Sequence, residues 1–392
     1  MLQVSLEREV YEFLGRGHYR RGMRAKDGYR NGYEPHNFKS ANGILQVAVP
    51  QLRETEEKFR SGLLARLKDG SDVLERLVTE MYARGMSCRD VEDAFTDIFG
   101  RQVISHSGVS RITEHLTVEF DEWRKRSLEG LNIVYLFLDG EYVALRQGTD
   151  EKEGVLCAYG ITDRGRKVLI HLGIGERESY SAWLSFLHDM TGRGLNEPLL
   201  VINDGNPGLK KAIREVFPRS LKQRCQVHKM RNILSKLPEH AIAELKPLIQ
   251  QVFWAKTYDE GLKKGRALIE KFKKLYPSAM ECLEKDLEEC IACLKFPKPH
   301  HKYIRTTNLL ERTNEETRRR TKVIPRFPTE KSGLKLMFAV LIRASSKWYG
   351  LRMLPSVTEQ LDEIRKQLFG EEVNEEKAVE SSLNREAEFV SA

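Results

Sequence analysis

The stretch IVYLFLDG, which runs from Ile133 to Gly140, decides the fold class. Six successive apolar residues are typical of a strand that is buried on both faces in the middle of a sheet. An acid follows at once, so Asp139 is predicted to lie at the carboxyl end of this central strand. Because an unpaired carboxylate is costly to bury, an acid in such a place usually faces a cation.

A second acid, Asp204, stands in the same setting 65 residues later. It follows the short apolar run 199–202 and precedes Gly205, and a helix is predicted from Pro207 to Val216, because proline is favoured in a first helical turn. Sites in α/β sheets form at the carboxyl ends of strands. Either Asp-Gly pair taken alone is more often a plain turn, so the two acids favour a site only in combination with the strand order.

The remaining strands and helices define the fold class. The apolar periodicity gives the order β-β-β-α-β-α-β, which predicts an α/β fold with a mixed sheet and helices outside it. From Lys229 to about Leu294 only helices are predicted, with breaks between them at Pro238, Pro247 and Pro277. Besides the two strands above, strands are predicted at 155–162, 167–174 and 223–227, and a helix at 179–190.

The first 130 residues predict two smaller modules. The first sixty residues are rich in glycine and arginine, and their one alternating run, Ile44 to Pro50, is predicted to be a strand. Apolar spacing predicts helices from Asp72 to about Glu129. A helix capped by Ser87, a short turn and a second helix from Ser105 to Leu116 resemble a helix-turn-helix, although any helical hairpin gives the same pattern.

The basic charge is concentrated in three stretches. Lys and Arg number 65 against 57 Asp and Glu, a net charge of +8. The stretch Gly208 to Lys236 alone holds nine basic residues and one acid, and the stretches Arg312 to Arg326 and Arg16 to Arg30 are also basic. Three such clusters in a folded chain predict a polyanionic partner, because each phosphate contact releases counterions. For any one cluster the alternative is a solvated basic surface.

Composition excludes several other classes of protein. A chain of 392 residues with 40% hydrophobic residues is long enough for two or three domains with a buried core. No apolar run approaches the ~18 residues of a membrane helix, and the N-terminus has no apolar signal region. Six unevenly spaced cysteines do not make a disulfide framework. We therefore expect a soluble, cytosolic, multidomain protein.

A third acid, Glu311, follows Asp204 by 107 residues. It falls in the first turn of a predicted helix that is rich in arginine. Three carboxylates suit Mg²⁺ or Mn²⁺, which prefer oxygen ligands and leave coordination positions for water and phosphate. Two such ions can activate a water or a 3′-hydroxyl at a phosphodiester. Taken alone, Glu311 is more typical of a solvated helix surface.

Six motifs, in this order, resemble those of the bacterial Mutator-like family of DDE transposases. They are GYRNGY at 28–33, LDGEYVALR at 138–146, VINDGNPGL at 201–209, RCQVHKMRN at 224–232, TTNLLE at 306–311 and RRRTKVI at 318–324. Each motif alone is short, but the ordered set, which covers roughly residues 20 to 350, is specific. The chain departs from the family at 51–53, where the family favours Pro-Arg-x-Arg, and in a short region before Arg16.

The resemblance implies a fold and a domain order. The fold is α/β: a ribonuclease-H-like mixed sheet with helices on both faces, interrupted by an all-helical insertion and preceded by a mostly helical DNA-binding region. The predicted domains are a basic N-terminal DNA-binding module at 1–60, a helix-turn-helix-like DNA-binding region at 61–130, the first part of the catalytic core at 131–228, the insertion at 229–300, the second part of the core at 301–350, and a C-terminal helix with an acidic tail at 351–392.

The resemblance also assigns the site residues. Asp139, Asp204 and Glu311 would be catalytic and would hold two Mg²⁺ ions, for which Mn²⁺ would substitute. Cys225 and His228 would lie beside the active site, with His228 near the scissile phosphate; the alternative is a buried cysteine and a satisfied core histidine. Two ligands are too few for a structural zinc site. A second possible zinc set is Cys290 and Cys293 with Cys282, His300 and His301, but the spacing of Cys290 and Cys293 is more typical of an apolar helix face.

DNA contacts are predicted from the basic clusters. The arginine-rich motif and the Gly208 to Lys236 cluster would contact backbone phosphates, and the Ser105 to Leu116 helix and the N-terminal module would read bases. Trp254 would stack on a flipped base or, alternatively, belong to the core. The predicted DNA-binding residues are Arg318, Arg319, Arg320, Lys322, Arg224, Lys229, Arg231, Lys210, Lys211 and Arg111.

The implied function is that of a transposase. It would bind the terminal inverted repeats of an insertion sequence and catalyse metal-dependent strand cleavage and strand transfer on double-stranded DNA. Pairing two ends implies at least a homodimer on DNA, in the cytoplasm at the bacterial nucleoid. Two alternatives remain: a nuclease of the same fold, which would degrade generic DNA, and a non-catalytic DNA-binding regulator, which would cleave nothing.

Overall fold

The computed structural model divides the chain into two compact units. The first comprises Met1–Glu119 with Arg320–Pro325, and the second comprises Phe120–Arg319 with Arg326–Ala392. Each unit is described by itself. The structure describes residues 2–17, 28–55, 57–68, 72–143, 153–175, 179–308, 315, 317–320, 329–345 and 348–370.

The first unit consists of helices and one hairpin. The helix Cys88–Phe99 begins with a capping box, because the Ser87 hydroxyl accepts the Asp90 N–H at 3.1 Å and the Asp90 carboxylate accepts the Ser87 N–H at 2.8 Å. It ends at Gly100, which has φ +67°. The elements are α1 (Leu2–Leu14), β1 (Tyr29–Ser40), β2 (Gly43–Arg53), α2 (Gly62–Lys68), α3 (Asp72–Ala83), α4 (Cys88–Phe99), α5 (His106–Thr113) and α6 (His115–Lys125), the last of which runs on into the second unit.

Helices α3, α4 and α5 share a small core. Their buried residues Leu74, Val78, Phe95 and Val109 pack into one cluster. The predicted pair of helices joined by a turn is present as α4 and α5. The predicted helix from Ser105 to Leu116 is wrong at its end, because the helix breaks after Thr113 and α6 begins at His115.

The second unit is built on a mixed five-stranded sheet. The strands are β3 (Ile133–Val143), β4 (Glu153–Thr162), β5 (Lys167–Gly175), β6 (Leu200–Asn203) and β7 (Leu221–Arg224), with α7 (Tyr180–Gly192) and α8 (Pro207–Val216) connecting them. The strand order is β5-β4-β3-β6-β7; β3, β4 and β5 are antiparallel neighbours, and β6 lies parallel to both β3 and β7. The predicted mixed α/β fold is confirmed.

Two strand ends differ from the prediction. Strand β3 does not stop before Asp139 but continues to Val143, because β4 goes on pairing with it as far as Val143 and Glu153. Strand β7 ends at Arg224 rather than Val227. The Cys225 N–H donates to the Asn203 carbonyl at 2.8 Å, and the chain then turns into a helix.

Alternate residues of β3 face two different environments. Leu136 and Leu138 belong to the main core with Trp183 and Leu187 of α7. On the other face, the ring of Phe137 stacks on that of Tyr159 of β4 with 4.3 Å between the ring centroids. Both faces are therefore covered, as an uninterrupted apolar run requires. Truncating a buried ring such as Trp183 to alanine is expected to cost about 3–5 kcal/mol.

Helices make up the chain from Gln226 to Ile304. The predicted break at Pro247 is wrong, since Pro247 lies inside the helix Glu239–Phe253, where burial of residues such as Leu245 and Ile249 outweighs the roughly 3 kcal/mol that an interior proline costs. Pro238 and Pro277 do stand at helix starts. The helices are α9 (Gln226–Leu234), α10 (Glu239–Phe253), α11 (Tyr258–Phe272), α12 (Pro277–Lys285), α13 (Leu287–Ile291) and α14 (His301–Ile304).

Two further helices complete the second unit. Helix α15 (Glu330–Ser345) lies against β5, and its Phe338 ring packs on Phe120 and Trp123 of α6 with centroid distances of 5.3 and 5.1 Å. Helix α16 (Pro355–Phe369) ends the described part of the chain. Within that part, every helix is too short or too polar to cross a membrane.

Candidate active site

The first two predicted acids lie on neighbouring strands. The parallel ladder between β3 and β6 ends at the pair Leu138 and Asn203, so Asp139 and Asp204 are the next residue on each strand. Parallel neighbours are ~4.8 Å apart, which places the two acids side by side at the carboxyl edge of β6. Asp139 is 6% exposed and Asp204 is half-buried. The expectation that Asp139 ends its strand is wrong, but Asp139 directly follows the last residue of β3 that pairs with β6.

The loop after Asp204 fixes the direction of its carboxylate. The Asn206 N–H donates to Asp204 Oδ1 at 2.9 Å. Asn206 in turn caps α8, because its own Oδ1 accepts the N–H groups of Gly208 and Leu209 at 2.8 and 3.3 Å. The acid, the cap and the helix are therefore one unit, in which the start of α8 holds the acid.

A buried arginine covers the peptide next to Asp204. Gly205 has φ +86°, and a Cβ there would coincide with the guanidinium of Arg224. Arg224 is 6% exposed, and its Nε has no hydrogen-bond partner among the described residues. The Arg224 guanidinium therefore lies against Gly205, the residue that follows Asp204. A side chain at position 205 would occupy the same space.

A further carboxylate, Glu141, was not predicted. It stands two residues after Asp139, so both point to the same face of β3. Glu141 is 2% exposed and forms an ion pair with Arg318. Burial raises the pKa of Glu141, and Arg318 opposes that rise. The available signal was the alternation of the two acids along the strand, which was missed because β3 was expected to stop before Asp139.

The pKa of the Cys157 thiol is affected by the negative charges of Asp139 and Glu141. Cys157 is the cross-strand partner of Asp139 on β4. Burial raises the pKa of its thiol, and the negative charges of Asp139 and Glu141 raise it further. The thiol is therefore kept neutral.

Cys225 links the sheet to the segment before the third predicted acid. Its sulfur accepts the Thr307 N–H at 3.5 Å and the Thr307 hydroxyl at 3.4 Å. Burial raises the pKa of the Cys225 thiol, but hydrogen bonds from His228 and Thr307 outweigh that effect, and the pKa lies below its usual value. His228 is half-buried beside the thiol. Sequence reasoning did not single out Thr307.

Glu311 and Lys322 lie outside the described residues. Within the described part of the chain, no three His, Cys, Asp or Glu side chains converge as metal ligands. Cys290 and Cys293 are buried in the helical segment, and the Cys290 carbonyl accepts the side-chain N–H groups of Gln223 and Gln226 at 2.9 and 2.8 Å.

The predicted DNA-binding cations fall into two groups. Arg111, Lys211, Arg231, Arg318 and Arg319 are exposed, and Arg320 is half-buried. Arg111 lies on α5 in the first unit, where it lines a groove of about 1510 Å³.

The second group points inward. Lys229 is buried, and its Nζ lies 2.5 Å from Asp286; Lys210 Nζ lies 2.7 Å from the same carboxylate. Burial raises the pKa of Asp286, but the two lysines lower it to about 2. The prediction that these lysines contact DNA stays untested, and in this structure they hold α8 and α9 to the turn between α12 and α13.

Trp254 lies at the surface rather than in the core. It is 55% exposed, and the Arg305 guanidinium stacks 4.5 Å above its ring centroid. Arg305 also accepts the Gln226 N–H through its carbonyl at 3.0 Å, so this aromatic group adjoins the β7–α9 junction.

These features define a class: α/β proteins with paired carboxylates at the end of a parallel strand pair, bordered by arginines. The chain belongs to the Mutator family of transposases, whose sequence model matches residues 1–350. The predicted family is therefore confirmed.

Known insertion-sequence proteins resemble the chain over most of its length. The transposase for insertion sequence element ISRM5 of Rhizobium meliloti is 34% identical over 351 residues, 89% of this chain and 86% of that protein. The transposase for IS905 of Lactococcus lactis is 30% identical, over 83% of this chain and 82% of that protein. The transposase for IS256 in transposon Tn4001 of Staphylococcus aureus is 31% identical, over 88% and 87% respectively.

Proposed function

We propose that this chain is the transposase of an insertion sequence and that it cuts and joins DNA by a DDE mechanism. The observation that carries the proposal is the adjacency of Asp139 and Asp204 at the end of the β3–β6 ladder, in a chain of the Mutator family. Its DNA substrates would be the terminal inverted repeats of the element and a target duplex.

Asp139, Asp204 and Glu311 would hold Mg²⁺, and Mn²⁺ would substitute. The residues present fit such ions, because a buried carboxylate and a half-buried one adjoin each other and supply oxygen donors only. When bound, the ions would raise the nucleophilicity of water or a 3′-hydroxyl and stabilise the leaving oxygen.

The chemistry would proceed in two displacements at phosphorus. Water would attack the phosphodiester at the element's end; its oxygen would stay on the flanking 5′-phosphate, and the transposon 3′-oxygen would leave with a proton. That 3′-hydroxyl would then attack a target phosphodiester, forming one P–O bond while the target's own P–O3′ bond breaks. The second step conserves the number of phosphodiesters, so it needs no energy-rich cofactor. His228 would lie near the scissile phosphate.

The sheet and the helices support a ribonuclease-H-like catalytic core. Three antiparallel strands followed by two parallel ones agree with that fold, and the strand-free part from Gln226 to Ile304 would be its helical insertion. The exposed cations of both units would contact DNA phosphates, and two copies of the chain would pair two ends at the nucleoid.

A cleavage and joining assay tests the proposal. DNA carrying the flanks of the gene's own locus is incubated with wild type, Asp204→Asn or the surface control Asp259→Asn, with and without Mg²⁺. We expect Asp204→Asn to lower both activities by about 10³-fold or more while the Kd for end DNA stays within about twofold, because the carboxylate would act on the reaction and not on binding. The control should match wild type.

Three other results would overturn the proposal. An equal loss of binding in Asp204→Asn would make the acid structural. Degradation of unrelated DNA without joining would indicate a nuclease, and tight, salt-sensitive binding with no product in any variant would indicate a regulator.

A further inference from the structure

Cys225 stands where three parts of the second unit meet. Its N–H donates to the Asn203 carbonyl at 2.8 Å, which ties it to the residue before Asp204. Its sulfur accepts both donors of Thr307, and the next residue's N–H, that of Gln226, donates to the Arg305 carbonyl at 3.0 Å. The end of β6 and the segment from Arg305 to Thr307 are thus joined through a single turn of chain.

Burial excludes a direct chemical role for this thiol. Cys225 and Thr307 are both 0% exposed, so neither can touch DNA or a diffusible reactant. A zinc site is also disfavoured, since the sulfur already accepts two hydrogen bonds from Thr307. The contacts therefore favour a structural role, in which the Cys225 sulfur holds the Thr307 backbone and the Cys225 N–H holds Asn203.

We propose that Cys225 is a positioning residue, whose sulfur fixes Thr307 beside the end of β6 and so holds the segment 305–308 next to Asp204. The proposal rests on the proposed function for the role of Asp204. The hydrogen bonds themselves do not depend on it. A displacement of about 1 Å at a reacting group lowers a rate by as much as about 10²-fold, so a small shift of this segment is enough to matter.

Four variants separate the sulfur's hydrogen bonds from its bulk. Cys225→Ala removes the acceptor, whereas Cys225→Ser keeps an acceptor on a shorter bond. Thr307→Val removes the hydroxyl donor at nearly constant volume, and Thr307→Ser keeps it. The matched control is Cys290→Ala, which removes an equally buried thiol from α13 and keeps the Cys290 carbonyl that accepts from Gln223 and Gln226.

Hydrogen exchange on the metal-free protein is the first readout. We expect faster exchange of the peptide that contains Thr307 in Cys225→Ala and Thr307→Val, an intermediate rate in Cys225→Ser, and no change in Cys290→Ala. Unchanged exchange in Cys225→Ala would overturn the proposal whatever the protein's activity.

Kinetics provide the second readout, compared at equal folded fraction. We expect Cys225→Ala to lower strand transfer by about tenfold and to raise the half-saturating Mg²⁺ concentration, with the Kd for end DNA unchanged. Thr307→Val removes only the hydroxyl bond, so it should act in the same direction to a smaller extent, and the double variant should be no worse than Cys225→Ala, which already removes the acceptor of that bond. If the activity of Cys225→Ala falls only in proportion to its melting temperature, as expected for Cys290→Ala, then Cys225 contributes packing alone and the proposal is overturned. An inactive wild type with the expected exchange pattern would instead refute the proposed function alone.

Discussion

Arg224 occupies the space into which a side chain at Gly205 would point. Arg224 is buried, and its Nε has no hydrogen-bond partner among the described residues; a buried charged donor that stays unpaired is unfavourable. A DNA phosphate is the anion that the proposed function would bring to Asp204. The absence of a side chain at Gly205 therefore leaves the space that the Arg224 guanidinium occupies.

We predict that Gly205→Ala lowers both stability and activity. A residue other than glycine at φ +86° costs about 1–3 kcal/mol, and displacement of Arg224 adds to that cost. Chemical denaturation and the joining assay measure the two effects. The matched control is Gly192→Ala at the end of α7, where a Cβ would meet nothing within 4 Å; it should stay within about 1 kcal/mol of wild type. Equal behaviour of the two variants would show that the Gly205 loop adapts freely.

At this scale the sequence predicted the acids but not their surroundings. Asp139 and Asp204 were identifiable because each follows an apolar run, a local signal. Glu141 is hydrogen-bonded to Arg318 and Thr307 to Cys225, and these partners are 177 and 82 residues away along the chain. Such pairs follow from the folded arrangement and leave no periodicity in the sequence.

Among the elements, the helical segment is attached to the sheet by a charged cluster. Asp286, in the turn between α12 and α13, forms ion pairs with Lys210 of α8 and Lys229 of α9. The two Nζ atoms lie 2.7 and 2.5 Å from its carboxylate oxygens. Gln223 at the end of β7 adds hydrogen bonds to Cys290 and Cys293. Breaking a buried ion pair on one side costs about 3–5 kcal/mol, so this cluster is a strong constraint on α9.

We predict that Asp286→Asn is destabilising at pH 7 and that the deficit shrinks in acid. The pKa of Asp286 is lowered from 3.8 to about 2 in the folded chain, so its ionised form stabilises the fold above pH 4, and this stability is lost as pH falls through about 2. A shift of that size corresponds to about 2 kcal/mol. Unfolding free energies between pH 2 and 7 measure it, with Glu281→Gln on α12 as control. A deficit that is constant with pH would contradict the prediction.

The strands β3 to β6 could be predicted because their sequences contain clear apolar runs. The sequences of α1 and β1 have no such pattern, so these two elements were not predicted. Helix α1 buries only Leu6, Val10 and Leu14, a narrow stripe among charged residues. Strand β1 exposes most of its residues and is stabilised by pairing with β2 along its length. Hydrogen bonding to a partner strand, rather than side-chain burial, makes this a strand, and a single sequence carries little sign of it.

For the whole molecule, net charge is a poor guide to which cations face a polyanion. The chain carries +8, and the predicted contacts lie in both units. Part of this charge is used internally, since Lys210 and Lys229 neutralise Asp286, and Lys210 also contacts Glu289 at 2.7 Å. Only cations that remain exposed can release counterions from DNA.

We therefore predict different salt dependences for two cations on one helix. Arg231 and Lys229 stand two residues apart on α9, but Arg231 is exposed and Lys229 is buried against Asp286. Arg231→Gln should reduce the slope of log K against log salt by about 0.9, the value for one lost phosphate contact, and weaken binding to all DNA sequences alike. Lys229→Gln should leave the slope unchanged and lower the melting temperature. An equal change of slope in a folded Lys229→Gln would mean that its ion pair with Asp286 opens when DNA binds, and that the cluster holding α9 is itself part of the DNA interface.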